Sequence, residues 1–409
     1  MYLQKMAHLL PLYRGCRRRA RMYRIVIEPS ELEVGQSLYQ TLRGHRVPTA
    51  LHQDALASDI PAKCEYFVAS SAFETQVGGT RPLIERARKV GAKSLVVICE
   101  NAENYAVQSE LNGKLLRVSF PKAKISQSRE YIVLFMASLL HGTGLAVPRE
   151  PASCQLFELA ERVAKADVSV FINGPTGSGK EVLSNFIHNN SNRDGRQFVA
   201  INCAAIPENM LEAMLFGHEK GSFTGASTAN VGIIRAADGG TLLLDEVSEM
   251  SLSLQAKLLR ALQEKTVTPV GGTKPITVDV RVLSTSNRNM VAECQSGRFR
   301  EDLFYRLNVF PLTTMALSER IQDILPIAIE LLLRHYKDLE TLPLLANCAI
   351  EKLQSHNWPG NVRELDNVLQ RATVMCTGLE ITGADILFDR TTVAPAQPKL
   401  DLATETGHV

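Results

Sequence analysis

Apolar runs alternate with amphipathic stretches from Tyr23 onward. The segments "YRIVIE" (23–28), "YFVAS" (66–70), "SLVVICE" (94–100) and "LLRVSF" (115–120) predict strands, and "ELEVGQSLYQTLR" (31–43) and "TRPLIERARKVG" (80–91) predict helices between them. Strands alternating with helices predict a small parallel α/β domain over residues 23–140. The stretch "HGTGLAVPREPAS" (141–153), with its Gly and Pro, predicts a linker. A second strand–helix alternation follows over 154–312, carried by "VSVFING" (168–174), "EVLSNFIHNN" (181–190), "GGTLLLDEVSEM" (239–250) and "VRVLSTSN" (280–287). Residues 313–388 then change period and predict helices: "SERIQDILPIAIELLLRHYKDL", "LANCAIEKLQSHN" and "WPGNVRELDNVLQRATVM".

The two ends do not fit either pattern. Lys5, Arg14, Arg17, Arg18, Arg19 and Arg21 occur with no acid among the first 21 residues, and "MAHLLPLY" is too short and Pro-broken for a secretory core. We expect residues 1–22 to be a disordered extension and Met22 the natural start. The Pro/Ala/Thr-rich 389–409 predicts a disordered tail with no room for a three-helix DNA-binding module.

Composition bounds the partners only loosely. The 409 residues are 45% hydrophobic, ample for two or three buried cores, and no apolar run nears the roughly 20 residues that span a bilayer. A net charge of +2 points neither toward nor away from nucleic acid. The eight cysteines (16, 64, 99, 154, 203, 294, 348, 376) show no CxxC pair and no Cys/His cluster, so we expect reduced thiols in a cytoplasm and no zinc.

The chemistry concentrates in the second alternation. Gly174-Pro175-Thr176-Gly177-Ser178-Gly179-Lys180 follows a buried strand and opens a helix, the context of a phosphate-binding P-loop. Its glycines let backbone N–H groups face phosphates, and Lys180 reaches the phosphate oxygens. Glu181 stands where a Ser or Thr usually follows the lysine. Asp245-Glu246 closes a later apolar strand, as a Walker B pair does: one carboxylate for the Mg²⁺ water shell, the second to orient the attacking water. The pair favours hydrolysis of a nucleotide over mere binding.

The runs "FVAINCAAIPENMLEAMLFGHEKGSFTGA" (198–226), "RVLSTSNRNM" (281–290), "GRFREDLFYRLNVFPL" (297–312) and "WPGNVRELDNVLQRA" (358–372) together resemble the AAA+ domain of sigma-54-dependent transcriptional activators. The resemblance covers about residues 150–388. It implies an ATPase core with a small helical lid, ATP and Mg²⁺ as cofactors, a ring oligomer, and the sigma-54 RNA polymerase holoenzyme as partner. Glu181 is the family's usual residue at its position. Asn202 matches the switch asparagine that bonds the Walker B glutamate, here Glu246; Asn287 matches sensor I and Arg363 sensor II. Arg300 and Arg306 match the two arginines supplied to a neighbouring subunit, although the same arginines could simply pair with Glu301 or Asp302. Gly221-Ser222-Phe223-Thr224-Gly225-Ala226 matches the loop that contacts the sigma factor, and such a Gly-flanked run reads locally as a mobile loop with an apolar tip.

The first domain resembles a receiver of the response-regulator family in topology alone. Only Glu28 follows its first strand, and Ser70-Ser71 stand where the family carries its acceptor aspartate; Lys122 lies near the family's lysine. These residues predict a degenerate receiver that works by contact, most like the flagellar-regulator branch. With no DNA-binding module in these residues, we expect the ring to act from solution, or mixed with a DNA-binding paralogue, touching promoter DNA indirectly, or the sequence to be truncated before such a module. A catalytically poor co-regulator that only docks into another activator's ring is the alternative, and a generic AAA+ DNA motor a further one.

Overall fold

The computed structural model describes residues 23–44, 47–56, 63–122, 126–141, 148–222, 228–336 and 338–388. The basic extension and the tail therefore lie outside the described residues. Among the described residues no helix is long and apolar enough to cross a membrane.

The first unit is one sheet with helices on both faces. Its strands are β1 (Ile25–Ile27), β2 (Thr49–Leu51), β3 (Tyr66–Ser70), β4 (Ser94–Ala102), β5 (Ala106–Glu110) and β6 (Leu115–Pro121), in the order β2-β1-β3-β4-β6-β5. The helices are α1 (Gly35–Gly44), α2 (His52–Leu56), α3 (Ser71–Gln76), α4 (Thr80–Lys89) and α5 (Ser126–His141). Alternate residues of each strand go to opposite cores: Ile25, Ile27, Val68, Val96 and Ile98 pack in the core shared with α1 and α5, while Val26, Phe67, Ala69, Leu95 and Val97 pack with Leu83 and Ala87 of α4. Both faces being covered, the central segments Ile25–Ile27, Phe67–Ala69 and Leu95–Ile98 read as unbroken apolar runs.

The sheet is not wholly parallel, which corrects the sequence reading. β5 runs antiparallel to β6 at the edge. The hairpin turns through Leu111 (φ 52°), Asn112 (φ 56°) and Gly113 (φ 81°), and Asn-Gly is the sequence signal that tolerates such positive φ. β2 and β5 escape the hydrophobic pattern because β2 has three residues and β5 is half-exposed.

Glu28 and Ser70, at the receiver positions, are each engaged by neighbouring groups. Glu28 is buried and meets His52 Nδ1 at 2.5 Å, while its other oxygen accepts from the Ser30 amide and hydroxyl. Ser70 caps α3, accepting from Phe73 N at 3.0 Å. Among the described residues no three His, Cys, Asp or Glu side chains gather into a metal-holding group.

The second unit is a five-stranded parallel sheet in the order β13-β7-β12-β9-β8. In chain order it comprises α6 (Pro151–Ala164), β7 (Val170–Asn173), α7 (Lys180–Asn189), β8 (Phe198–Asn202), α8 (Glu208–Phe216), α9 (Ile233–Ala236) and β9 (Thr241–Asp245). It continues with α10 (Leu252–Glu264), a short pair β10 (Thr266–Val267) and β11 (Ile276–Thr277), β12 (Arg281–Ser286), α11 (Met290–Gln295), α12 (Glu301–Leu307) and β13 (Phe310–Thr313). Ile172, Leu243, Leu283 and Leu312 pack on α6 and α7; Phe171, Leu242, Leu244 and Val282 pack on α8, α10 and α12.

The lid follows as α13 (Ile324–His335), α14 (Asn347–Gln354) and α15 (Asn361–Met375), tied by a parallel two-residue pair, β14 (Leu344–Leu345) with β15 (Glu380–Ile381), that the helical period does not foretell. Trp358 is buried in its core, and its indole N–H donates to Leu353 O at 2.9 Å. That core is continuous with α5 of the first unit: α13 packs on α5, the Tyr131 hydroxyl accepts from Leu345 N, and Glu340 accepts from Ser109 N on β5.

Because Glu28 and Ser70 are already engaged and no acceptor aspartate ends β3, acetyl phosphate should leave residues 23–140 unlabelled by intact-mass and peptide mass spectrometry. A phosphorylated aspartate there would overturn the degenerate-receiver reading.

Candidate nucleotide site

The site forms where the strand order carries the chain outward on both sides of β7 and β12, at the carboxyl ends of the parallel strands. β7 ends at Asn173, the loop Gly174–Gly179 turns, and α7 begins at Lys180. Gly177 has φ 75°, and a Cβ there would fall 2.7 Å from Gly360 O, so only glycine fits beneath the lid. Lys180 is buried, with Nζ donating to Gly174 O at 3.0 Å and Pro175 O at 3.3 Å. The same Nζ lies 3.4 Å from Glu246 Oε1.

β9 delivers the two carboxylates to different places. Parallel register sets Asn202 beside Asp245, and Asn202 Nδ2 donates to Asp245 Oδ2 at 2.8 Å. Asn202 therefore bonds the aspartate and not Glu246, which corrects the expected pairing. The reason is backbone direction: Glu246 lies past the strand with φ 51°, a left-handed turn that aims its side chain toward the P-loop. Such a conformation costs about 1–3 kcal/mol for a non-glycine residue. Asn202 also accepts from Ala204 N and Ala205 N, so it caps the following turn as well. From the other side Thr285 Oγ1 donates to Asp245 Oδ1 at 2.5 Å and accepts from Glu246 N. Nothing in the sequence marks Thr285; its role follows from β12 lying between β7 and β9.

Asn287, at the end of β12, closes the cluster. Its N–H donates to Glu246 Oε2 at 3.1 Å and its Nδ2 to Thr176 Oγ1 at 2.8 Å. Behind the carboxylates, burial, with Asp245 and Glu246 nearby, pushes the Cys203 thiol up to about 12, so it stays protonated and inert at neutral pH. Lys180, Asp245, Glu246, Asn202, Asn287 and Thr176 are thus brought together; Glu181 is exposed on the first turn of α7. Arg363 is exposed one residue past Val362, whose N–H donates to Gly177 O at 3.0 Å.

Arg300 and Arg306 are not part of this cluster. Both are exposed at α12; Arg300 pairs with Asp302 at 2.6 Å and Arg306 donates to Leu262 O at 3.0 Å. Phe223, Thr224, Gly225 and Ala226 lie outside the described residues. Gly221, with φ 80°, and Ser222 are seen at the base of that loop. The base is stapled: His218 and Asn230 exchange both backbone bonds, and Gly217 O and Glu219 N bond Val270 between β10 and β11.

Residues 146–313 match the profile described as the sigma-54 interaction domain, and residues 318–400 match the AAA+ ATPase lid domain. Residues 146–313 belong to the sigma-54 interaction domain family. The response regulator protein FleR of Pseudomonas aeruginosa is 58% identical over 241 residues, covering 59% of this chain and 51% of its own. The transcriptional regulatory protein FlbD of Caulobacter vibrioides is 46% identical over 282 residues, covering 68% of this chain and 61% of its own. The chain thus spans 51% and 61% of the lengths of these two relatives, and 42% to 54% of other curated relatives it matches. The crystal structure of NtrX from Brucella abortus in complex with ADP has a TM-score of 0.55 at 26% identity, covering 89% of this chain and 85% of that one. The α/β core with a helical lid is the AAA+ P-loop NTPase fold.

Lys180→Ala should abolish binding of a fluorescent ADP, since backbone amides alone do not offset the phosphate charge once the ammonium is gone. Glu246→Ala should keep that binding and slow ATP turnover at least about a hundredfold, the scale of a lost water-activating carboxylate. Undiminished affinity in the first, or parent turnover in the second, would remove the residue from its role.

Proposed function

We propose that this chain hydrolyses ATP in a ring of copies, hexameric by family resemblance, and uses turnover to remodel the closed complex of a sigma-54 RNA polymerase holoenzyme. The observation that carries the reading is the closed set Lys180–Glu246–Asn287–Thr176, which joins both Walker elements and sensor I at one mouth, within a matched sigma-54 interaction domain. ATP would bind across Gly174–Lys180 with Arg363 above it. Asp245 supplies hard carboxylate oxygens suited to Mg²⁺, and Glu246 is the group that orients the attacking water.

Arg300 and Arg306 are assigned to the neighbouring subunit's nucleotide. Their present partners, Asp302 and one carbonyl, are solvent-exposed pairings that cost little to exchange for a γ-phosphate. Catalysis then depends on assembly. Gly221–Ala226 is assigned to the sigma factor, with Phe223 as the apolar contact and Thr224 as the hydrogen-bonding one. The N-terminal unit acts by contact, and the protein works in the cytoplasm, in the flagellar-regulator branch.

The test separates chemistry from coupling. Thr224→Ala should leave ATP hydrolysis near the parent rate and eliminate open-complex formation at a sigma-54 promoter, while Ser222→Ala changes little, its hydroxyl having no partner among the described residues. A parent chain that binds ATP without turning it over, and works only when mixed with a DNA-binding paralogue, would establish the co-regulator reading instead.

A further inference from the structure

Three consecutive carbonyls of the phosphate loop are each held by a donor from the lid or the segment leading into it. Thr176 O accepts from Asn361 Nδ2 at 3.0 Å, Gly177 O from Val362 N at 3.0 Å, and Ser178 O from Arg320 Nη2 at 2.5 Å. Neither side chain reached these positions by chance of exposure. Asn361 is 4% exposed, adopts φ 53°, and spends its oxygen on Leu317 N at 2.7 Å, which fixes the amide with its NH₂ toward Thr176. Arg320 is 9% exposed, with Nε buried and without a partner among the described residues and Nη1 4.0 Å from Asp323.

A trans peptide is rigid, so the carbonyl of one residue and the N–H of the next point to opposite sides of the chain. Pulling Thr176 O toward the lid therefore turns Gly177 N–H away from it, and pulling Ser178 O toward Arg320 turns Gly179 N–H away likewise. Ser178 N, between them, bonds Pro175 O inside the loop at 3.2 Å. Glycines 177 and 179, with φ 75° and 99°, have little intrinsic preference for this arrangement. An outside clamp must supply it.

We infer that Asn361 and Arg320 are positioning residues for nucleotide binding: from behind the loop they fix the peptide planes that aim the Gly177 and Gly179 amides at the phosphates. Neither touches nucleotide. The inference rests on the P-loop reading above. It also ties the loop to the segment that leaves the N-terminal unit, because Asp323, beside Arg320, accepts from Arg149 N at 2.6 Å, Glu150 N at 2.8 Å and the Ser153 hydroxyl.

The test uses the full chain and fluorescent ADP. Asn361→Asp keeps the acceptor for Leu317 N and removes the donor, adding one negative charge; Arg320→Gln removes the clamp from the other side. Each should raise the ADP dissociation constant about tenfold, the scale of one misdirected charge-assisted hydrogen bond. KM for ATP should rise in step, with kcat at saturation close to the parent's. Because both changes also alter charge, the ratio of variant to parent is compared at low salt and at about 1 M, where screening leaves orientation but removes distant charge effects. Persistence of the ratio supports the inference. Parent-like affinity in both variants, a ratio that vanishes at high salt, or loss that tracks a lowered melting temperature without nucleotide overturns it. Should Lys180→Ala bind ADP as the parent does, it is the P-loop reading that fails, and the two failures are told apart.

Discussion

The second unit is organised around one constraint: Lys180 carries a charge while 6% exposed. An ammonium taken out of water needs close partners, or burial costs more than folding returns. Two carbonyls of its own loop and Glu246 provide them. Glu246 follows the end of β9, which is not adjacent to β7; β12 separates them. The lysine therefore bridges over the end of β12, and Thr285 of that strand and Asn287 just past it occupy the gap by bonding Asp245, Glu246 and Thr176. A five-strand order that brings three strand ends to one mouth is what allows a buried charge, two carboxylates and a glycine loop to coexist.

Much of this was legible in the sequence because it depends on patterns with a period or a motif. The apolar runs within 25–27, 66–70, 94–102 and 115–121 are strands, and burial on both faces keeps the stretches 25–27, 66–69 and 95–98 free of charged residues. The P-loop and the Walker pair were legible because each needs particular residue types in order. Asn202 was legible as a site residue but not its partner: whether it meets Asp245 or Glu246 is decided by parallel register and by one left-handed residue, neither written in composition. β5 was missed although Asn112-Gly113 is a hairpin signal, because its strand buries one residue in five.

What the sequence did not reveal at all are contacts from side chain to backbone carbonyl across elements distant in the chain. Arg320 reads as one more basic residue in "SERIQDI", and Asn361 as a turn residue after Pro359-Gly360. Their partners, Ser178 O and Thr176 O, have the same chemical identity as every other carbonyl. Only the fold singles them out.

The lid is therefore more than a cover. Its far side shares a core with α5, through Tyr131, Ile132 and Phe135 against Leu325, Ile329 and Leu345, and its near side holds carbonyls of the phosphate loop. Contact alone does not make coupling; a shift must have two arrangements that each end of the path favours differently. The near side supplies a candidate for that element. Glycine peptides at 177 and 179 can rotate at little cost unless clamped, whereas the aromatic and aliphatic core on the far side resists gradual deformation. A displacement of α13 by the N-terminal unit would thus be absorbed where the chain is softest, at the peptides of Gly177 and Gly179.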